Sequence, residues 1–236
     1  MAVASPTLTV HRADGETRAV VLLCYGGKSE SRNRSRPWHL SALRLVPFAR
    51  TLRRGGASEG VAVWTLRYRL RGWNGEEASP VADARWALAQ IERRHGPVPV
   101  VLVGHSMGGR VALRVADHPL VRGVIALAPW VGDAEPVAHL ACGRVLIMHG
   151  TADRWTSSDG SFRYACRLAE TGAEVHRCEL PRLGHFMLRR AGLWHGLTAV
   201  TALRWLADAL GGQSKSPPGT NTPEMEVIPM GLRIRV

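Results

Sequence analysis

The sequence is poor in several features that would have pointed away from an ordinary globular domain. Its four cysteines, Cys24, Cys142, Cys166 and Cys178, are far apart and include no CxxC pair. Neither a disulfide framework nor a thiolate metal site is therefore indicated. They read as small hydrophobes of a reduced compartment, so a cytoplasmic location is expected. No segment approaches the roughly 18 consecutive apolar residues of a membrane span, and no basic head followed by a long apolar run suggests a secretory leader. Aromatic residues make up only 6% of the chain. Nothing resembles a zinc finger or an RNA-stacking aromatic pair.

Lysine is almost missing too: Lys28 and Lys215 are the only two, although the formal net charge is +12. Arginine carries that charge in short clusters, Arg32-Arg34-Arg36, Arg53-Arg54, Arg67-Arg69-Arg71, Arg93-Arg94 and Arg189-Arg190. Their spread through nearly every segment is a compositional bias rather than a single footprint, so nucleic acid is not an expected partner. Long-range attraction for anionic solutes remains. With 236 residues, 45% of them hydrophobic, the chain can bury a layered core without disulfides, metal or cofactor. One domain is expected over residues 1–211. A linker-like tail, residues 212–236, follows; its GGQSKSPPGTNT stretch has little to bury, although Met225 to Val236 has some capacity for strand pairing.

The organising stretch is Pro97 to Val115, PVPVVLVGHSMGGRVALRV. An apolar, β-branched run turns through Gly104 to Gly109 into a segment patterned like a helix, which reads as strand, tight turn, helix. Small residues at Gly104 and Gly108 allow Ser106 to stand at the tip of that turn. The first helical amides then point toward the serine, where a developing oxyanion would need them. Taken alone, the same pattern also fits a serine that caps a helix.

Strands are expected at Leu8–His11, Arg18–Cys24, Val61–Leu66, Val121–Ala128, Val145–His149 and Ala173–Leu180. Helices are expected at Leu40–Arg54 (kinked or started late by Pro47), Ser79–Arg94, Phe162–Thr171 and Gly192–Leu210. The Arg18–Cys24 strand ends in Tyr25-Gly26-Gly27-Lys28, whose glycine amides are candidates for a second oxyanion donor; a plain flexible turn is the alternative. Asp153, in the loop after Val145–His149, could orient a histidine, and His185, after the last strand, could receive it and reach Ser106. Asp159 and Glu179 are nearby alternatives. Asp133 and Glu135 sit in a short polar loop that favours solvent or local capping.

Ser106, Asp153 and His185, in that order and each at a strand end, resemble the α/β-hydrolase superfamily. GHSMGG, HGTAD and LGHF match the pattern of its serine esterase and lipase-like members over roughly Leu8 to Leu210. The resemblance implies a three-layer α/β/α sandwich around a mostly parallel sheet. It also implies a Ser106-His185-Asp153 triad and an oxyanion hole from the amide of Met107 with Gly26 or Gly27. Tyr25 stands where a histidine usually begins that glycine motif. Only Gly132–Arg144 separates two strands that a lid would otherwise bridge, so the site should be nearly lidless.

Tyr25, Trp73 and Trp130 are candidates to line the pocket, and the Met107 side chain is expected to point toward it. The substrate expected is a small-molecule ester. Thioesters on an acidic carrier protein met by Arg32 to Arg36, amides and peptides stay open, as does a noncatalytic ligand-binding role. A serine rather than an aspartate at the elbow argues against dehalogenase or epoxide hydrolase chemistry.

Overall fold

The computed structural model describes residues 5–141, 143–212 and 234–235. The most apolar run of the sequence, AVVLLC, forms β2 (Ala19–Cys24), and all six of its residues are buried. A strand with no polar face belongs in the middle of a sheet covered on both sides, and β2 lies between β3 (Val61–Arg67) and β4 (Val100–His105), parallel to both. Outward from β4 follow β5 (Val121–Leu127), β6 (Arg144–Gly150) and β7 (Glu174–Leu180), all parallel. The edge strand β1 (Thr7–His11) pairs antiparallel with β3. Near the C-terminus, β8 (Ile234–Arg235) pairs parallel with β7 at Cys178 and Glu179. The rest of the proposed linker, residues 213–233 and 236, lies outside the described residues.

Helices cover the sheet as the parallel connections require. The helix expected at Leu40–Arg54 is two helices, α1 (Leu40–Leu43) and α2 (Val46–Gly56). Pro47 sits in the first turn of α2, where its missing N–H removes no hydrogen bond. Next come α3 (Ser79–His95), α4 (Met107–Arg114), α5 (Ser158–Ala169) and α6 (Ala191–Ala209). The helix α5 starts four residues before the expected Phe162 because the Ser157 side chain accepts the Gly160 N–H at 2.9 Å and caps it. Packing of α2 on α6 and of α3 on α4, with α5 over β6 and β7, gives the three-layer sandwich.

The strand order β1-β3-β2-β4-β5-β6-β7-β8 locates the site. The chain leaves β2 toward β3 on one side and returns to β4 on the other. Two connections thus diverge above the carboxyl ends of β2 and β4 and leave a crevice there. The β2 end carries Gly26 and Gly27, and the β4 end carries Ser106.

Candidate active site

Ser106 has φ 57° and ψ −120°, a conformation that a residue with a side chain rarely adopts. Its surroundings hold it there. Its N–H donates to the Leu127 carbonyl at 2.9 Å, and its own carbonyl accepts from Gly109 at 3.0 Å and Trp130 at 3.1 Å. The flanking glycines are required sterically: a Cβ on Gly104 would overlap the Gly108 carbonyl, and one on Gly108 would overlap the Cys24 carbonyl. The sharp turn leaves Ser106 Oγ 3.0 Å from His185 Nε2.

The loop after β7 brings His185, and the loop after β6 brings Asp153, whose Oδ2 lies 2.8 Å from His185 Nδ1. The Asp153 side chain is fully shielded from solvent. Burial opposes its ionisation, but donors surround it. Oδ1 accepts the Trp155 and Thr156 amides at 2.8 and 2.9 Å. The Thr156 hydroxyl stands 2.9 Å from Oδ2, and His149 Nε2 stands 3.3 Å away. Together the donors outweigh burial and hold the carboxyl well below the usual carboxylate range. His149 is itself buried and braced by Ser161 Oγ at 2.8 Å from Nδ1.

Below this pair lies His105, fully buried. Desolvation foremost, with the neighbouring His185 and Arg44 in support, pushes its pKa down to about 3. At neutral pH it is uncharged and carries one ring proton. That proton sits on Nε2, which donates to the His185 backbone carbonyl at 2.9 Å. Beside Ser106, the amides of Gly26, Gly27 and Met107 donate to no acceptor among the described residues. Trp155 stacks over the His185 ring at 6.3 Å between centroids, and Phe186 lies 5.3 Å from Trp155. Among the described residues, no group of three His, Cys, Asp or Glu side chains could hold a metal ion.

Residues 20–226 match the alpha/beta hydrolase family. The chain belongs to that family. Similar solved structures share the fold at low identity. One is a lidless α/β serine hydrolase from Xanthomonas campestris, with TM-score 0.61, 18% identity, and coverage of 87% of this chain and 89% of that one. Another is a thermophilic esterase from Thermogutta terrifontis with propionate bound, with TM-score 0.65, 17% identity, and coverage of 89% and 92%. A third is Est1E from Butyrivibrio proteoclasticus with ferulic acid, with TM-score 0.62, 15% identity, and coverage of 86% and 96%. A comparison with curated proteins finds no significant match.

In this alpha/beta hydrolase, Ser106, Asp153 and His185 converge, as do Gly26, Gly27 and the Met107 amide; of the aromatic candidates, Trp130 adjoins Ser106 through its amide, while the Tyr25 and Trp73 side chains are buried. Tyr25 is buried, its ring edge-on to Tyr68 at 5.0 Å and its hydroxyl 2.8 Å from Ser35 Oγ. It lines a separate groove of about 750 Å³ whose walls include none of the three converging residues. Trp73 is buried under the Arg110 guanidinium, 4.0 Å from its ring, and Trp130 is half-buried on the same cation. The Met107 side chain is likewise buried, packed against Gly27 rather than exposed in an open pocket.

Glu135 corrects another expectation. It does not cap a loop in solvent but is buried between Arg110 and Arg114, ion-paired to both. Asp133 does lie at the surface, paired with Arg163.

Residue patterns assign no site role to Thr156, His149, His105, Trp155 or Phe186; the stretch from Trp155 to Ser158 reads only as a helix cap. Thr156 had one legible signal: an acid followed three residues later by threonine, just before a helix, is an arrangement in which side chains bond local backbone. The two histidines look like ordinary strand residues in sequence.

Proposed function

We propose that the protein hydrolyses carboxylic esters through an acyl-enzyme formed on Ser106, with His185 as general base and acid and Asp153 as its orienting partner. The observation that carries this reading is the continuous chain from Ser106 Oγ to His185 Nε2 at 3.0 Å and from His185 Nδ1 to Asp153 Oδ2 at 2.8 Å. Unpaired amides lie beside it.

His185 Nε2 takes the serine proton as Oγ attacks the acyl carbon, and the imidazolium that forms is stabilised by the Asp153 carboxylate. The carbonyl oxygen gains negative charge next to the amide of Met107 and that of Gly26 or Gly27. Each well-placed donor of this kind is worth about 3 kcal/mol in the transition state. His185 then protonates the departing alkoxide, and afterwards activates the water that releases the acid. The proposed unit is a single domain over residues 1–211. Its proposed location is the cytoplasm, in keeping with the free thiols of Cys24, Cys166 and Cys178.

Ser106→Ala tests the assignment. The purified variant should keep its circular dichroism spectrum, lose nearly all turnover of a p-nitrophenyl ester and no longer be labelled by a fluorophosphonate. Turnover equal to that of the parent protein would overturn the reading. A second reading, thioester hydrolysis on an acidic carrier protein, is favoured by the exposed Arg32, Arg34 and Arg36 on one loop. Acyl thioesters and aminoacyl amides in the same assay separate thioesterase and amidase action from esterase action. Tight binding of a small ligand without labelling would instead indicate a binding protein.

A further inference from the structure

Arg44 lies at the corner between α1 and α2, and it differs from four other arginines that the fold withdraws from water. Arg69 reaches Asp83, Arg110 and Arg114 reach Glu135, and Arg177 reaches Glu179. The guanidinium of Arg44 makes no hydrogen bond and no ion pair with any described residue. Its Nε is nonetheless shielded from solvent. Burial pushes its pKa down, which reflects the cost of holding that charge there unpaired.

The aromatic ring beneath its guanidinium belongs to the reaction centre. The guanidinium carbon lies 4.5 Å from the centroid of Phe186, and the Phe186 ring lies edge-on to His185 at 5.6 Å. The charge of Arg44 is also felt by His105, directly beneath His185. A half-buried cation thus stands one ring away from the general base, with donor capacity that the protein does not use. Phe186 and Trp155, which touch each other and His185, add exposed apolar surface to the same region, and Leu43 beside Arg44 in the chain is exposed too. A planar fork of N–H donors beside an apolar rim fits a carboxylate at the end of a short hydrocarbon spacer.

We infer that Arg44 is a specificity residue for esters that carry a second, anionic carboxylate. The inference rests on the proposed ester hydrolysis at Ser106. The reacting carbonyl sits at Ser106 while the free carboxylate, on the acyl or the alcohol side, pairs with the guanidinium. Binding then gives Arg44 the acceptor it lacks. The bias toward arginine across the whole surface adds attraction for such an anion at long range.

Two matched pairs of esters test this: mono-p-nitrophenyl glutarate against p-nitrophenyl pentanoate for the acyl side, and 3-acetoxybenzoate against phenyl acetate for the alcohol side. Rates are taken as kcat/KM relative to alkaline hydrolysis of each ester. The charged member of at least one pair should be favoured by about tenfold or more, and raised salt should weaken that preference. Arg44→Met should bring the ratio close to one, and Arg44→Lys should keep part of it. Equal rates within both pairs for the parent protein, or a preference unchanged in Arg44→Met, would overturn the inference. Should Arg44→Met not fold, the parent protein's ratios and those of Arg44→Lys still decide it.

Glutarate binding by calorimetry separates this inference from the ester reading. If Ser106 is not labelled and no ester turns over, the ester reading fails. Glutarate binding that disappears in Arg44→Met would then still support the anion site, and absence of such binding would remove it.

Discussion

His105 Nε2 donates to the backbone carbonyl of His185 at 2.9 Å. The residue before Ser106 therefore fixes the loop that carries His185, across 80 positions of sequence. His105→Phe keeps a ring but removes the donor. With a neutral p-nitrophenyl ester, kcat should fall roughly tenfold with little change in KM, because the loss lies in alignment rather than substrate contact. A change in KM alone would count against this role.

His105 also predicts how stability depends on pH. Its folded-state pKa of about 3 lies below the ordinary 6.5. Below 6.5 the unfolded chain takes up a proton that the native state refuses, so stability is lost as pH falls through that window. The slope from this one group is at most about 1.4 kcal/mol per pH unit. Asp153, depressed below the usual carboxylate range, adds a loss of the same sign at still lower pH. Denaturant melts at pH 7, 6, 5 and 4 should show the fall, and His105→Phe should flatten it between pH 6 and pH 4.

Thr156 tests the packing around the acid. Its hydroxyl lies 2.9 Å from Asp153 Oδ2 and 3.2 Å from His185 Nδ1. Thr156→Val keeps the shape and the amide donor but removes one hydrogen bond, worth about 1 kcal/mol. Turnover should fall roughly fivefold, with the melting temperature nearly unchanged. Parental kcat in the valine variant would assign Thr156 to local folding only.

The two glycine clusters should respond differently to alanine. A Cβ on Gly26 would lie 3.3 Å from the Ser106 Cβ, a tight contact that a small shift relieves. Gly26→Ala should fold and lose activity. A Cβ on Gly108 would overlap the Cys24 backbone carbonyl, which cannot move without moving β2. Gly108→Ala should yield little folded protein, and thermal melts of both variants check the contrast.

Glu135 should matter for stability rather than chemistry. It is the shared partner of Arg110 and Arg114, and its side chain is 1% exposed. Glu135→Ala leaves two cations packed against Trp73 without their anion. It should cost roughly 3 kcal/mol, seen as a fall in Tm of roughly 5–10 °C. Fluorophosphonate labelling of the folded variant should persist.

Much of this protein could be read from local pattern. The AVVLLC run, the glycines around Ser106 and the positions of Asp153 and His185 after apolar strands were visible because strand burial and sharp turns leave short-range signatures. The corner at Arg44, where one expected helix became two, was only half legible, through Pro47. What remained hidden depends on partners far away in sequence. Nothing near Trp73 reveals that Arg110 covers it, and nothing near Glu135 reveals the two arginines on α4. The sequence alone determined which side chains could do acyl chemistry and on which strand ends they stand. Only the tertiary structure decided which aromatics lie under arginine, which histidines brace Asp153 and His185, and that the shielded Nε of Arg44 is left without an acceptor, because each of those depends on distances set by the assembled sheet.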